Sequence, residues 1–407
     1  MEKYALITTL VAAIVLAFIF GAVASRFRLS PIVGYLLAGI AVGPHTPGVE
    51  ADVELALQLS EIGVILLMFG VGLKISVDDI WSVRWTAVPV ALLHTVLSAA
   101  LGFAVGLILG MPPAESILVG SAMSVASTIV LLRALEDRRI TKSEEGRICV
   151  SWLLVEDLLI ILAIVALPAI AGAMATEGVN ASPLNVAAAV GLTFLKIAGF
   201  IALMLVVGAR VFPWLIIQVA HLKSRELLSL GTLALALGMA YAAFRWFDAS
   251  FALGAFLAGL ALNGSKFSHR VAEDSLPMRD TFAVLFFVAV GMLFDPGVVL
   301  RQPIALAIFV SVIICGKAGL AYLLMRLFNQ PPHAALLAAF GLAQIGEFSF
   351  VLAGLGLELD VMSRETYNLV LAAALISIAL NPFLMRLSPI AAASKPAPTP
   401  AGNTSPG

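Results

Sequence analysis

Three acids and one base sit where charge is least welcome. Glu156, Asp157, Glu347 and Lys317 each fall inside a long run of apolar residues. A carboxylate in such surroundings holds a proton, a cation or a partner, because an ionised side chain at the centre of a lipid-embedded helix costs roughly 2.5–3.5 kcal/mol on insertion scales. Lys317 can neutralise one of the three acids and leaves the others in surplus. The surplus carboxylates hold protons or metal cations, and a site that accepts either meets the minimum physical requirement for exchange. Ser124, Ser127, Thr128 and Gln344 lie in the middle of neighbouring apolar runs and offer hydroxyl and amide oxygens, hard ligands for a dehydrated monovalent ion.

The elements that position these groups follow from composition. Of 407 residues, 61% are hydrophobic and 12% charged, and the mean hydropathy is +1.05, against roughly 25% charged and 45–50% apolar in soluble domains. The natural solvent of such a chain is lipid. A spanning helix needs about 20 mostly apolar residues. Candidate spans lie near 4–25, 30–47, 56–73, 85–109, 113–135, 147–172, 185–208, 226–244, 249–264, 280–294, 302–327, 333–357 and 365–388, about thirteen by hydropathy. The run from 185 to 220 also reads as one long tilted helix. With alternating spans, the loops of one side collect Arg26, Arg28, Arg84, Arg133, Arg138, Arg139, Lys142, Arg147, Arg210, Lys223 and Arg225, while the other side has Lys3, Arg245, Arg301 and Arg364. Lys and Arg mark cytoplasmic loops, so the N-terminus is expected outside and the C-terminus in the cytoplasm. Residues 389–407 turn to Pro, Ala, Ser and Gly and read as a disordered tail.

Depth places the polar groups at one level. Asp157 lies ten residues beyond Arg147, about 15 Å along a helix. Lys317, Gln344 and Glu347 fall near the middle of spans eleven and twelve, and Ser124, Ser127 and Thr128 near the middle of span five. Each has a plainer reading. An Asp–Lys pair can rivet a bundle, and a serine in a spanning helix commonly bonds back to its own turn. His94, in span four, reads as a lone hydrogen-bonded core histidine, although it could titrate near neutral pH. Lys196 reads as an interface residue, Glu61 as hydrated and Cys315 as a packing residue.

Other classes of function find little support. A net charge of −1 offers no basic field for nucleic acid. Cys149 and Cys315 make one bridge at most. There is no HExxH or GxGD of an intramembrane hydrolase and no GxxxxGK[ST] of an ATP-driven pump. The chain is expected to be neither an enzyme nor cofactor-dependent.

Spans five and twelve share an unusual centre, Gly120-Ser121-Ala122-Met123-Ser124-Val125-Ala126-Ser127-Thr128 and Gly341-Leu342-Ala343-Gln344-Ile345-Gly346-Glu347. Such residues weaken a helix and let its backbone turn toward a ligand. Secondary transporters place interrupted helices at matching positions of two inverted halves. Here they are fifth of the first six spans and fifth of the last six, with span seven as linker. Repeat one then covers about 4–172, the linker helix about 185–220 and repeat two about 226–388.

The stretches PIVGYLLAGIAVGP (31–44), LSEIGVILLMFGVGL (59–73), AMSVASTIVLLRAL (122–135), WLLVEDLLIILAIVALPAIAG (152–172), ASFALGAFLAGL (249–260), PMRDTFAVLFFVAVGMLFDP (277–296) and GLAQIGEFSFVLAGLG (341–356) occur in order. Through them the chain resembles the Kef-type, YbaL-like branch of the monovalent cation:proton antiporter-2 family. The resemblance implies an all-α membrane protein of about thirteen transmembrane helices, with two inverted six-helix repeats and two broken crossing helices in an NhaA/NapA-like antiporter fold. It implies exchange of Na⁺ or K⁺ for H⁺ by alternating access in the cell inner membrane, as a homodimer. By the same resemblance Asp157 looks like the carboxylate that takes cation and proton in turn, with Glu156 beside it. Ser124, Ser127 and Thr128 look like accessory ligands and Lys317 like the charge partner. Gln344 and Glu347 match the second broken helix, Glu347 balancing half-helix dipoles. Glu156 departs from the pattern, since relatives carry Asp, Asn or Gln before the key aspartate. A Gly-rich βαβ stretch of the kind that follows the last span in many relatives is not found, which keeps open a channel-like K⁺ efflux system of the Kef type without its regulatory domain.

Overall fold

A computed structural model describes residues 5–46, 52–74, 84–141, 143–175, 195–196, 198–247, 249–263 and 268–389. Among these residues the secondary structure is helical throughout, without a strand. The helices are α1 (Ala5–Arg26), α2 (Pro31–Val42), α3 (Val53–Lys74), α4 (Arg84–Ile108), α5 (Pro113–Ser124), α6 (Thr128–Asp137) and α7 (Glu144–Ala175). They continue with α8 (Ala198–His221), α9 (Arg225–Phe247), α10 (Phe251–Asn263), α11 (Ser268–Leu293), α12 (Val298–Arg301) and α13 (Pro303–Leu327). Last come α14 (Pro332–Gly341), α15 (Glu347–Glu358) and α16 (Arg364–Leu387).

By length and composition, 8 helical stretches among the described residues can cross a membrane. One is the α5–α6 unit, Pro113–Glu136, although its backbone leaves the helix between Ser124 and Thr128. Others among the expected spans are shorter as helices. α2 has 12 residues and α10 has 13, about 18–20 Å at the helical rise. The first part of the expected linker, 185–194, and the expected tail beyond 389 lie outside the described residues.

Apolar side chains cover most helices on every side, which suits lipid on one face and protein on the other. Phe18, Val96, Leu205 and Trp246 face outward, while Leu36, Met68, Phe69 and Phe286 are buried between α2, α3 and α11. α3 packs against both α10 and α11, and α4 lies along α5. A second core of Val90, Leu131, Leu153, Met325, Leu342 and the fully buried Trp152 joins α4, α6, α7, α13 and α14. The polar groups of interest are embedded in that core.

Local sequence explains the irregularities. Pro31, Pro113, Pro303 and Pro332 sit in the first turn of their helices, where a missing N–H costs nothing. α13 contains a π turn over Val312–Lys317, the kind of local widening that often marks a functional position in a helix. Lys317 is its last residue.

α4 and α5 approach so closely at Gly120 that a Cβ there would run into the carbonyl oxygen of Ala99. Gly354, inside α15, has nothing within 4 Å of the corresponding position. Gly120→Ala is therefore expected to destabilise the detergent-solubilised protein by about 1–3 kcal/mol through overpacking. Gly354→Ala should be neutral or stabilise it by up to about 1 kcal/mol through helix propensity. Thermal unfolding of the two variants beside the wild type checks both signs.

Candidate functional site

The site is built where two helices stop. α5 ends at Ser124, and Val125 follows in an extended conformation (φ −99°, ψ 138°). Ser127 then caps α6, its Oγ accepting from the N–H of Val130 at 3.3 Å. α14 ends at Gly341, residues 342–346 leave the helix, and α15 restarts after an extended Gly346. The two interruptions touch, with the Gly346 N–H donating to the Val125 carbonyl at 3.1 Å. A Cβ at Gly346 would lie 2.7 Å from the Ala126 carbonyl oxygen, so the crossing requires glycine there.

Interrupted helices leave backbone donors and acceptors without intrahelical partners, and lipid supplies none. Here side chains supply them. Gln344 Oε1 accepts from the Ser127 N–H at 3.1 Å, and its Nε2 donates to the Ser127 carbonyl at 3.2 Å. Ser349 Oγ donates to the Ala122 carbonyl (2.6 Å), and Asn381 Nδ2 donates to that of Phe340 (2.8 Å). Ser377 Oγ accepts from the Ile345 N–H at 3.4 Å. Lys317 Nζ donates to the Gln344 carbonyl at 3.0 Å. All five of these polar side chains are buried, with Gln344 and Lys317 at 0% and 1% exposure.

The carboxyl groups divide by environment. Asp157, on α7, is 3% exposed and accepts from Thr128 Oγ1 at 2.7 Å through Oδ2. Its Oδ1 is buried without a hydrogen-bond partner. Glu156, one residue earlier, is fully buried and points elsewhere. Its Oε1 accepts from Trp152 Nε1 at 2.7 Å and shares a hydrogen bond with His94 Nδ1 at 2.7 Å, while Oε2 accepts from the Ala126 N–H at 3.3 Å. Glu347 opens α15, is 4% exposed and leaves Oε2 without a partner. Its carboxyl therefore sits at the positive end of a half-helix.

The expected residues separate into groups. Thr128 meets Asp157, and Ser127 meets Gln344. Ser124 bonds back to the Ser121 carbonyl at 2.8 Å, the plainer of its two readings. Among the described residues Lys317 has no carboxylate within 4 Å, and its ammonium serves the broken backbone. Glu61, His45 and Lys196 are exposed, and Cys315 also faces outward instead of packing inside. No group of three or more His, Cys, Asp or Glu side chains among the described residues is arranged to hold a metal ion. A cation at Asp157 would accordingly draw its remaining oxygens from hydroxyls, carbonyls and water.

Sequence reasoning underrated four positions. His94 is indeed a hydrogen-bonded core histidine, but its partner is Glu156. Trp152 stands four residues before Glu156 on the same helix, a spacing that puts both on one face and could have signalled the contact. Ser377 and Asn381 repeat that spacing on α16 inside an otherwise apolar run. Replacing Gln344 with Leu strands the buried Ser127 N–H, at a cost of about 1–3 kcal/mol, and leaves the Ser127 carbonyl only the Leu131 N–H at 3.2 Å. Gln344→Leu should lower the unfolding temperature far more than the substitution of an outward-facing residue such as Leu205, a difference readable by thermal unfolding in detergent.

Four comparisons bear on this arrangement. The family model described as sodium/hydrogen exchanger, transmembrane, matches residues 14–386. The chain is 50% identical over 382 residues to the cation/proton antiporter YbaL of Escherichia coli (strain K12), covering 94% of this chain and 68% of that protein. It is 31% identical over 367 residues to the glutathione-regulated potassium-efflux system protein KefC of Enterobacter sp. (strain 638), covering 90% of this chain and 57% of that one. Its fold is similar to the sodium proton antiporter MjNhaP1 of Methanocaldococcus jannaschii, with a TM-score of 0.74 at 17% identity over 95% of this chain and 99% of the other.

Proposed function

The chain belongs to the sodium/hydrogen exchanger transmembrane family, a cation/proton antiporter family, and from that premise we propose that Asp157 is the group on which a monovalent cation, Na⁺ or K⁺, and H⁺ take turns. The observation that carries this reading is the state of one side chain. Asp157 is buried at the meeting of two interrupted helices, one oxygen engaged by Thr128 and the other without a partner. A buried oxygen in that state calls for a proton or a cation.

Exchange then follows from one-site competition. Deprotonated Asp157 takes a cation stripped of part of its water, with Thr128 Oγ1 and broken-backbone carbonyls completing the oxygen shell. Bound proton or bound cation lowers the charge of the site, and the loaded segment can pass the apolar barrier. An empty carboxylate meets the desolvation cost of a bare charge in lipid, which suppresses uncoupled movement. Lys317 and Gln344 hold the second interruption against the first, and Glu347 answers the half-helix dipole beside them. Two inverted six-helix repeats joined by a linker helix give such a site access to either side in turn. Alternating access as a homodimer in the inner membrane, with the C-terminus in the cytoplasm, completes the proposal. The homologues are transporters, which favours transport over catalysis.

Asp157→Asn is expected to fold and to lose pH-gradient-driven Na⁺ and K⁺ flux in proteoliposomes. In the wild type, raising the proton concentration should raise the apparent KM for the cation and leave the maximal rate less affected. Normal flux in Asp157→Asn defeats the assignment.

A further inference from the structure

Glu156 and Asp157 are neighbours, yet they face different company. Consecutive residues of a helix diverge by about 100°. Asp157 points to Thr128 on the first interrupted helix, with one oxygen open. Glu156 points to α4 and is held on three sides: by the indole N–H of Trp152 (2.7 Å), by His94 Nδ1 (2.7 Å) and by the Ala126 N–H (3.3 Å). The imidazole is itself clamped. A carbonyl can only accept, so His94 Nε2 carries a hydrogen and donates it to the Lys317 carbonyl at 3.2 Å. The ring stands edge-on to Trp152 at a centroid distance of 5.0 Å. His94, Trp152 and Glu156 are each at 0% exposure. The clamp thus links α4, α7, the π turn of α13 and the first interruption.

We infer that His94 is a positioning residue that sets charge selectivity: by holding Glu156 against α4 it leaves Asp157 as the only acid of the adjacent pair facing the cation, and so disfavours doubly charged ions. The inference rests on the reading of Asp157 given above and deepens it. Ligand charge decides between ion classes. A hard divalent cation such as Ca²⁺ is bound by six to eight oxygens with several carboxylates among them, and its affinity scales with how many carboxylates contribute. Two adjacent acids facing one cavity would form the nucleus of such a site. With Glu156 withdrawn, Asp157 is the one acid of the pair left to face the cation. Of the other charged groups at the crossing, the Lys317 ammonium is spent on the Gln344 carbonyl, and Glu347 opens α15 with one oxygen unpartnered, so the clamp on Glu156 subtracts one carboxylate from those the crossing could offer.

Releasing Glu156 tests this. In His94→Ala the carboxyl loses its imidazole partner and can turn toward the space Asp157 faces. Ca²⁺ alone is the probe, added to proteoliposomes carrying out pH-gradient-driven Na⁺ or K⁺ exchange. His94→Ala should be half-inhibited at a Ca²⁺ concentration at least about tenfold below that needed for the wild type. His94→Gln keeps an N–H donor and should retain wild-type tolerance of Ca²⁺. Glu156→Gln placed in the His94→Ala background should abolish the gained sensitivity, which a general loosening of the fold would not do. Trp152→Phe removes a second donor to the same oxygen while keeping an aromatic ring, and it should shift Ca²⁺ inhibition in the same direction even if His94→Ala fails to assemble. The inference is overturned if His94→Ala and Trp152→Phe are no more sensitive than the wild type, or if sensitivity persists once Glu156 is replaced. Asp157→Asn separates the two levels. An inactive Asp157→Asn with Ca²⁺-tolerant His94 and Trp152 variants overturns this inference alone, whereas an active Asp157→Asn removes the Asp157 reading and this one with it.

Discussion

A backbone that leaves the helix inside a bilayer has to find its hydrogen bonds among neighbouring side chains, and the central architecture of this protein follows from that requirement. Residues 125–127 and 342–346 break two helices in the middle of an apolar core. Some of their amide and carbonyl groups find backbone partners, as Gly346 does at Val125, and others rely on side chains. Gln344 serves Ser127 on both its N–H and its carbonyl, Glu156 serves Ala126, Lys317 serves Gln344, and Ser349, Ser377 and Asn381 reach in from α15 and α16. The density of buried polar residues around the crossing is the other half of the same fact. A transporter gains from the arrangement because unwound backbone and half-helix ends are what an ion without its water can recognise.

That requirement also sorts the charged residues by duty. A lysine and a carboxylate at the same depth suggest an ion pair, but the Lys317 ammonium is occupied by a carbonyl of the second interruption. Glu156 is likewise fully engaged, by Trp152 Nε1, His94 Nδ1 and the Ala126 N–H. Two carboxyl groups keep an open oxygen, Glu347 at the start of α15 and Asp157, which is bonded on its other side by Thr128. Glu156, which is bonded to the crossing, and Asp157, which keeps an open oxygen, are adjacent along the chain yet differ in their partners. In a low-dielectric interior an unpartnered polar oxygen is costly. Its persistence at Asp157, beside so many satisfied groups, is the observation on which the proposed role of that residue rests.

The surrounding helices supply rigidity. Where α4 and α5 meet at Gly120, backbone lies against backbone, an arrangement available only to small residues and common in membrane bundles, where van der Waals contact replaces the hydrophobic effect between helices. The second apolar core, with Trp152 and Leu131 at its centre, grips α6 and α7 on either side of the Thr128–Asp157 contact. A site that binds ions by geometry needs its first ligands held by elements that do not drift, and the packing around α6 and α7 meets that need.

Hydropathy and the helical rise sufficed to read a helical membrane protein from the chain, to place Asp157, Lys317, Gln344 and Ser127 at a common depth, and to locate both interruptions, because each of these depends on composition and one-dimensional spacing alone. Rotation and partnership do not. Whether Lys317 meets a carboxylate or a carbonyl, and whether His94 is a bystander or the partner of an acid 62 residues away, turns on how α4, α7 and α13 are rolled about their axes. So does the difference between Glu156, fully bonded, and its neighbour Asp157, left with an open oxygen. The amino-acid order fixes depth to within a residue or two, since rise per residue is constant. Azimuth is decided only when helices far apart in sequence pack together, and the tertiary structure alone carries that information.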